Sequence, residues 1–299
     1  MRKIDIKEKI AELGIEHPSW ETFMHLGNLL KLRQGSDGDF QHANYESGLL
    51  LYGLVRHYRP QAILEIGTGR GYGAFCMAMA LRDANLPGKI MTLDIKGYDE
   101  PQTWALDAGQ GPSIAARSLR EVWETYLETD LRARVEHRQG TSIESMAALL
   151  ASREFEPDFI YVDGDHTATG TRHDILASML LARRPFRMLL DDYHLQSDYL
   201  FGLRRLIDTM LAPVFDLEAI FADRRWYGET FENIPLAKAP YAQVLLDSEK
   251  TLRPMDERFS REKLAAKLKE QRRIWRLNLL LDEFGYAYRR RFRRIEKLP

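Results

Sequence analysis

The sequence predicts an α/β protein built on a doubly wound, mostly parallel sheet of seven strands, with N-terminal helices and a C-terminal helical extension. Three observations predict it. From residue 62 onward, short apolar runs of strand length alternate with helix-length segments, the pattern of strands joined by crossover helices. A glycine-rich turn, Gly67-Thr68-Gly69-Arg70-Gly71, stands between the first run and the helix after it, at the kind of strand end where open parallel sheets bind ligands. Two later runs end in acids, Val162-Asp163 and Leu190-Asp191-Asp192.

Residues 1–44 read as helices joined by polar turns, with Ser36-Asp37-Gly38-Asp39 a loop signal. Leu49, Leu50, Leu51, Leu54 and Val55 crowd one helix over Tyr45–Tyr58, which Pro60 ends. Strands are expected at Ala62–Ile66, Lys89–Asp94, Arg134–His137, Asp158–Val162, Arg187–Leu190, Val214–Ile220 and Ala242–Leu246. Helices are expected at Gly73–Leu81, Glu144–Ala151, Arg172–Ala182 and Tyr199–Leu211. The last two strands suit an antiparallel edge. The stretch Lys96–Ser118, with Pro101, Trp104, Gly109, Gly111 and Pro112, breaks the alternation. It reads either as a lid or specificity loop or as a loose surface loop. Beyond Ser260, Ile274, Leu277, Leu281, Phe284 and Tyr288 share one helical stripe. That stripe must bury itself against the body or a second copy, so a homodimer through the C-terminal helix is one expectation. The boundaries that follow are a helical segment 1–44, a ligand-binding domain 45–250 and a basic helical extension 251–299.

The chain has 299 residues, 44% hydrophobic and 29% charged, ordinary for a soluble globular protein. Cys76 is its one cysteine, which excludes an intrachain disulfide and fits a reducing compartment. The longest apolar run, Ala74–Leu81, has eight residues, whereas a membrane span needs about 20. Residues 1–12 lack the apolar stretch of a signal peptide. The reading is a soluble, cytoplasmic protein with no membrane contact. From Arg258 to Pro299 there are 14 Lys/Arg against 5 Asp/Glu, a net of +9, so the residues before them carry −10. The charge run is either a solvated helix docked on its own acidic body or a basic interaction tail.

In the glycine turn, Gly67, Thr68, Gly69 and Gly71 would let the backbone approach a ligand closely. Glu65 stands just before it. An acid there suits a cationic group, such as the methionyl ammonium of S-adenosyl-L-methionine, and suits a pyrophosphate poorly. Asp94, ending the second run, can accept both hydroxyls of a ribose. If the runs ending at Asp163 and Asp191 are neighbours, about 4.8 Å apart, then Asp163, Asp191 and Asp192 converge at the ligand-binding edge. Three close carboxylates need a counter-charge. Oxygen ligands favour Mg²⁺, or Mn²⁺ or Ca²⁺, over zinc. Asp165 and His166 are the candidate bases, with His194 behind them. His166, His173 and His194 are spaced too irregularly for a zinc signature.

With these residues in hand, the stretch from Tyr45 to Leu246 resembles the class I S-adenosylmethionine-dependent methyltransferases. Within them it looks like the cation-dependent O-methyltransferase branch, which includes catechol, caffeoyl-CoA and antibiotic-sugar enzymes. Four segments carry the likeness: Tyr45-Glu46-Ser47-Gly48-Leu49-Leu50, Leu64-Glu65-Ile66-Gly67-Thr68-Gly69-Arg70-Gly71-Tyr72, Gly140-Thr141-Ser142, and Val162-Asp163-Gly164-Asp165-His166 with Asp191-Asp192-Tyr193. The resemblance implies a Rossmann-like methyltransferase fold over 45–250 and a small hydroxylated acceptor, a sugar or natural product. It implies that Glu65, Gly67, Asp94, Thr141 and Ser142 lie at the cofactor, and that Asp163, beside the cofactor, holds the cation with Asp191 and Asp192. Asp165 matches the base of the sugar-methylating members. The sequence departs from the family at Arg184-Pro185-Phe186-Arg187, where Pro-Gly-Gly is usual, and at Thr167-Ala168-Thr169, where Ser-Tyr-Glu is frequent. The lysine base of catechol-type enzymes has no match.

Two other readings compete. Gly69-Arg70-Gly71-Tyr72-Gly73-Ala74 satisfies the dinucleotide fingerprint G-x-G-x-x-G/A, which would make the chain a nicotinamide-dependent oxidoreductase. The absence of a Tyr-x-x-x-Lys pair counts against that. A non-catalytic module could bind nucleic acid through Arg289, Arg290, Arg291, Arg293 and Arg294 with Tyr288 and Phe292 interleaved. The acidic body argues against a continuous nucleic-acid surface.

Overall fold

The structure is a computed structural model that describes residues 1–35, 38–42, 45–165, 167–194, 203–221, 241–271 and 273. The chain opens with β1 (Arg2–Asp5), α1 (Ile6–Leu13), α2 (Trp20–Leu30), a hairpin of β2 (Leu32–Gln34) and β3 (Phe40–His42), and α3 (Glu46–Tyr58). Then come β4 (Ala62–Ile66), α4 (Tyr72–Asp83), β5 (Lys89–Asp94), a second hairpin of β6 (Gln102–Leu106) and β7 (Ser113–Arg117), α5 (Leu119–Tyr126), α6 (Thr129–Arg132) and β8 (Val135–Gln139). The remainder is α7 (Ser142–Ser152), β9 (Phe159–Val162), α8 (Ala168–Leu181), β10 (Arg187–His194), α9 (Leu203–Leu206) running into a π-turn (Ile207–Leu211), β11 (Phe215–Phe221), β12 (Tyr241–Thr251) and α10 (Met255–Phe259). Residues 261–271 are helical.

One eight-stranded sheet runs in the order β1-β11-β12-β10-β9-β4-β5-β8. β4 pairs in parallel with β5 on one side and β9 on the other. The chain therefore winds outward in both directions from β4, and ligand crevices open at such a reversal. β12 slots antiparallel between β10 and β11, so the antiparallel member lies inside the sheet and not at its edge. The doubly wound α/β fold is as the sequence predicts, with one strand more. Arg2–Asp5, in a region expected to be helical, pairs in parallel with Glu218–Phe221. Four residues with only Ile4 fully buried are too few to show a period, and the free edge of β11 decides their conformation.

Each face of the sheet has its own core. Ile63, Phe159, Tyr161 and Leu189 face α1–α4, and Ile4, Ile10 and Phe23 from the N-terminal segment join that same cluster. Leu64, Ile66, Ile160, Val162 and Leu190 face α7 and α8, together with Phe259, Leu264 and Leu268 from the C-terminal side. Alternate residues along one strand thus enter opposite cores, as the period of two requires. Polar caps set the helix starts. Ser118 accepts from the Glu121 amide while the Glu121 carboxylate accepts from the Ser118 amide, and Thr141 and Thr167 cap α7 and α8 by accepting from the amides of Glu144 and Gly170.

The stretch Lys96–Ser118 is an antiparallel hairpin, not a loose loop. Trp104 pairs with Ala115, is fully buried, and donates its indole N–H to the Leu29 carbonyl at 2.8 Å. The intervening turn, rich in glycine and proline, hides the strand alternation on either side. Among the described residues no helix is long and apolar enough to cross a membrane. His166, residues 199–202 of the helix expected there, the stripe Ile274–Tyr288 and the arginine-rich tail lie outside the described residues.

Candidate active site

Across the sheet, Thr92 on β5, Glu65 on β4 and Tyr161 on β9 occupy one register row. Their side chains interrupt an otherwise apolar face just below the carboxyl ends of the strands. Glu65 is buried. It accepts from the Thr92 hydroxyl at 2.5 Å, and the Thr68 hydroxyl lies 2.6 Å from that of Thr92. Thr68 therefore donates to Thr92, and Thr92 to Glu65. Burial pushes the Glu65 carboxyl up to about 8, against the pull of the Thr92 bond. A carboxyl kept from ionising by a dry site is poised to take a cation.

Above this row the chain turns through Gly67–Gly71. Gly67 adopts φ +95, and a side chain there would put its Cβ 1.9 Å from the Asp163 carbonyl oxygen. The ends of β4 and β9 can meet only because this residue has no Cβ. At Gly73 a Cβ would come within 2.4 Å of a Glu65 carboxylate oxygen, so the first turn of α4 leaves room for that acid. Gly71 caps α4 and backs onto the Trp123 ring. Asp94 accepts from the Gly69 amide at 2.9 Å and the Lys96 amide at 3.0 Å. These bonds fix the carboxylate at the end of β5 and leave further acceptor capacity on both oxygens. Thr141 and Ser142 begin α7, next to Asp94, whose carbonyl accepts from the Gly140 amide at 2.8 Å.

A cavity of about 340 Å³ opens over the turn. Glu65, Gly67, Thr68, Gly69 and Asp163 line it, and so do Lys31, Arg33, Ser47, Arg70, Gln102 and Tyr161. Of the residues predicted from sequence, Gly71, Asp94, Thr141 and Ser142 stand beside this cavity without lining it. Lys31 donates to the Ser47 hydroxyl at 3.0 Å and lies over the Tyr72 ring, 5.1 Å from its centroid. Lys31 and Arg33 come from the N-terminal segment, far from any glycine motif in sequence. Thr92 and Tyr161 were open to prediction as the strand neighbours of Glu65.

Tyr161 links the cavity to the acids of β9 and β10. Its hydroxyl lies 2.7 Å from Asp191 and 3.3 Å from Asp163. Burial and the charge of Asp191 raise the Asp163 carboxyl well above the usual carboxylate range. The Tyr161 hydroxyl thus stands between the two acids, with its shorter bond to Asp191. Asp192 follows with φ +59, its amide donating to Asp191 at 3.0 Å. A second, small cavity of about 10 Å³ is lined by Asp163, Asp165, Asp191 and Asp192, room for about one water. Among the described residues, no group of three His, Cys, Asp or Glu side chains is placed to hold a metal ion. Asp163 and Asp191 are brought together; Asp192 is their chain neighbour. Asp165 is exposed and accepts from the Thr167 amide at 2.8 Å and hydroxyl at 3.0 Å. In this arrangement its carboxylate shapes the start of α8. His173 is buried beside Asp174 on α8, away from these cavities.

Arg70, inside the turn, fastens the outer wall of the site. It donates to the carbonyls of Leu32 at 2.6 Å, Thr103 at 3.1 Å and Ala105 at 3.2 Å, and covers the Trp104 ring at 5.3 Å. The cofactor turn, the β2–β3 hairpin and the β6–β7 hairpin thus meet at one guanidinium. Arg70→Ala is expected to cost about 2–3 kcal/mol, read as a lower Tm and as protease cleavage in residues 96–118 that Arg70→Lys partly suppresses.

Residues 64–193 match the family model described as a methyltransferase domain. That part of the chain is similar to a methyltransferase domain. The match runs from the middle of β4 to the acids of β10, so it contains Glu65, Asp94, Asp163 and Asp191 but not Lys31, Arg33 or Ser47. A protein-L-isoaspartate O-methyltransferase of Shewanella frigidimarina is 28% identical to the chain over 109 residues, 31% of this chain and 50% of that protein. The chain thus spans about half the length of that relative. Among solved structures, one from Klebsiella pneumoniae, provisionally described as an O-methyltransferase, is 20% identical with a TM-score of 0.48, covering 81% of this chain and 94% of that one. An O-methyltransferase of Bacillus cereus in complex with SAH is 17% identical with a TM-score of 0.47, covering 80% and 94%. The strand order carries the α/β fold assignment independently of these likenesses.

Proposed function

We propose that the protein transfers the methyl group of S-adenosylmethionine to a hydroxyl oxygen of a small acceptor, with the help of a divalent cation. The observation that carries this reading is the buried carboxyl of Glu65 under the glycine turn, hydrogen-bonded through Thr92 to Thr68. A pyrophosphate over that turn would face an acid in a dry site, a repulsive pairing. The methionyl ammonium meets instead a carboxyl that ionises on its arrival. Asp94 then takes the ribose hydroxyls, with Thr141 and Ser142 toward the base. The sulfonium methyl faces Asp163 and Tyr161, the cavity residues on its far side.

Methyl transfer from a sulfonium is an in-line displacement and needs an acceptor oxygen held near the methyl group. Tyr161, already shared by Asp163 and Asp191, orients that end of the cavity. Asp163, Asp191 and Asp192 line one small cavity and would be the oxygen donors for Mg²⁺, Mn²⁺ or Ca²⁺ on rearranging around it. A bound cation of this kind lowers the pKa of a coordinated hydroxyl. Asp165 lines the same small cavity as these acids and is the described group suited to take the acceptor's proton, with His166 next in sequence. The small acceptor and cofactor are the only partners this site requires.

The test is transfer of labelled methyl from S-adenosylmethionine to a panel of sugars, phenols and hydroxy acids. Product is expected with Mg²⁺ present. Asp191→Ala is expected to lower turnover by about 10²-fold or more while binding of S-adenosylhomocysteine persists. Full turnover by metal-stripped protein in excess EDTA would remove the cation from this account. Binding of NADH without binding of S-adenosylhomocysteine would overturn it altogether.

A further inference from the structure

The cavity is unbalanced in charge. Lys31 and Arg33 from the N-terminal segment and Arg70 from the glycine turn line it, against two acids, Glu65 and Asp163. Arg70 gives three of its N–H groups to carbonyls, which leaves its charge without a counter-ion in those bonds. The charge of Arg33 bears on it and, after burial, lowers the Arg70 pKa. Lys31 is engaged with Ser47 and bears on Glu65 and Asp163. Arg33 lies on β2, lines the cavity and forms no ion pair with a described residue. Arg33 is exposed at the rim, so its guanidinium fork is open to an anion that enters the cavity from solvent. The cofactor does not supply the balance. Its ammonium is matched by Glu65, and its sulfonium and its one carboxylate offset each other, so the cations of the wall stay unmatched.

Resting on the methyl-transfer reading, we propose that the acceptor carries an anionic group, a carboxylate or a phosphate, which Arg33 binds at the rim of the cavity beside Arg70. A guanidinium fork suits either group. With the anion at the rim, the acceptor's hydroxyl reaches inward toward Asp163 and the sulfonium. Transfer forms the O–CH₃ bond, breaks the S–CH₃ bond with its electron pair returning to sulfur, and releases the hydroxyl proton to the base. Lys31 and Arg33 lie outside the residues that match the methyltransferase family, so this selectivity belongs to the part of the site built by the chain's own N-terminal segment.

Calorimetric titration of the S-adenosylhomocysteine complex with inorganic phosphate at constant ionic strength tests the inference. Wild-type protein is expected to bind phosphate, Arg33→Gln to bind it about tenfold more weakly or worse, and Arg33→Lys to recover most of the loss. A second arm asks whether the anion is instead the methionyl carboxylate. S-adenosylhomocysteine and 5′-methylthioadenosine, which lacks the amino-acid end, are titrated into wild type and Arg33→Gln. The ratio of their affinities is expected to be the same in both proteins. No phosphate binding by the wild-type complex, equal phosphate binding by Arg33→Gln, or a ratio that collapses in Arg33→Gln overturns the inference. If S-adenosylhomocysteine fails to bind the wild type at all, the methyl-transfer reading falls first, and the two failures are told apart.

Discussion

Gly67→Ala is expected to abolish cofactor binding and to destabilise the fold by about 3 kcal/mol or more. Two costs add. Alanine at φ +95 is strained by about 1–3 kcal/mol. Its Cβ would stand 1.9 Å from the Asp163 carbonyl oxygen, which no rotamer change relieves, because both atoms belong to backbone or are fixed by it. The ends of β4 and β9 must part, stretching the bond from the Asp163 amide to the Ile66 carbonyl, 2.8 Å long. Glu65 and Tyr161 sit one register step below that bond, so the site opens with it. A Tm lower by roughly 6–12 °C checks the stability term. Gly69→Ala is the contrast. Gly69 has φ +54 and a Cβ there meets no protein atom. It is expected to cost about 1–2 kcal/mol from backbone conformation, yet to weaken S-adenosylhomocysteine strongly, because the open space belongs to the ligand.

The second large effect is on pH. With the Glu65 carboxyl pushed up to about 8, the free protein at pH 7 holds a proton that the unfolded chain, with a carboxyl near 4.5, has lost. The folded state binds more protons across that interval, so Glu65 makes the free protein less stable as pH rises from about 4.5 through 8. Ligand binding runs the other way. The methionyl ammonium requires the ionised carboxylate, so affinity for S-adenosylhomocysteine is expected to rise by up to tenfold per pH unit below 8 and to level off above it. At pH 7 close to one proton is released per ligand bound, measured by titration in buffers of different ionisation enthalpy. Glu65→Gln is expected to abolish the release, weaken the ligand, and flatten the loss of stability toward alkaline pH. Release that persists in Glu65→Gln would place the proton on another group.

The central strands of this molecule were legible because they are buried apolar runs with abrupt ends. Ala62–Ile66, Lys89–Asp94 and Phe159–Val162 are mostly apolar, broken inside only by Glu65, Thr92 and Tyr161, and a glycine or an aspartate stops each one. The same economy hid the rest. β1, β2 and β3 are three or four residues long, below the length at which alternation can be read, and exist because a sheet edge or a partner strand is there to receive them. The β6–β7 hairpin is concealed by its glycine-rich turn, and its anchor is a tertiary bond from Trp104 to Leu29. Lys31 and Arg33 reach the cavity only through that folded-back segment, so no motif spacing points to them. Thr92 and Tyr161 are a different case, since strand register with Glu65 was inferable once the parallel order was. Asp165 was legible from its place after β9, whereas its bonds to Thr167 at the start of α8 were not.

The central claim is that the cavity over β4 holds S-adenosylmethionine with its ammonium at Glu65. A crystal structure of the wild-type protein with S-adenosylhomocysteine tests it most directly. The account predicts the amino group against Glu65 near Thr68, both ribose hydroxyls on Asp94, and the sulfur facing Asp163 and Tyr161. Ligand density that leaves Glu65 and Asp94 without contact would contradict it.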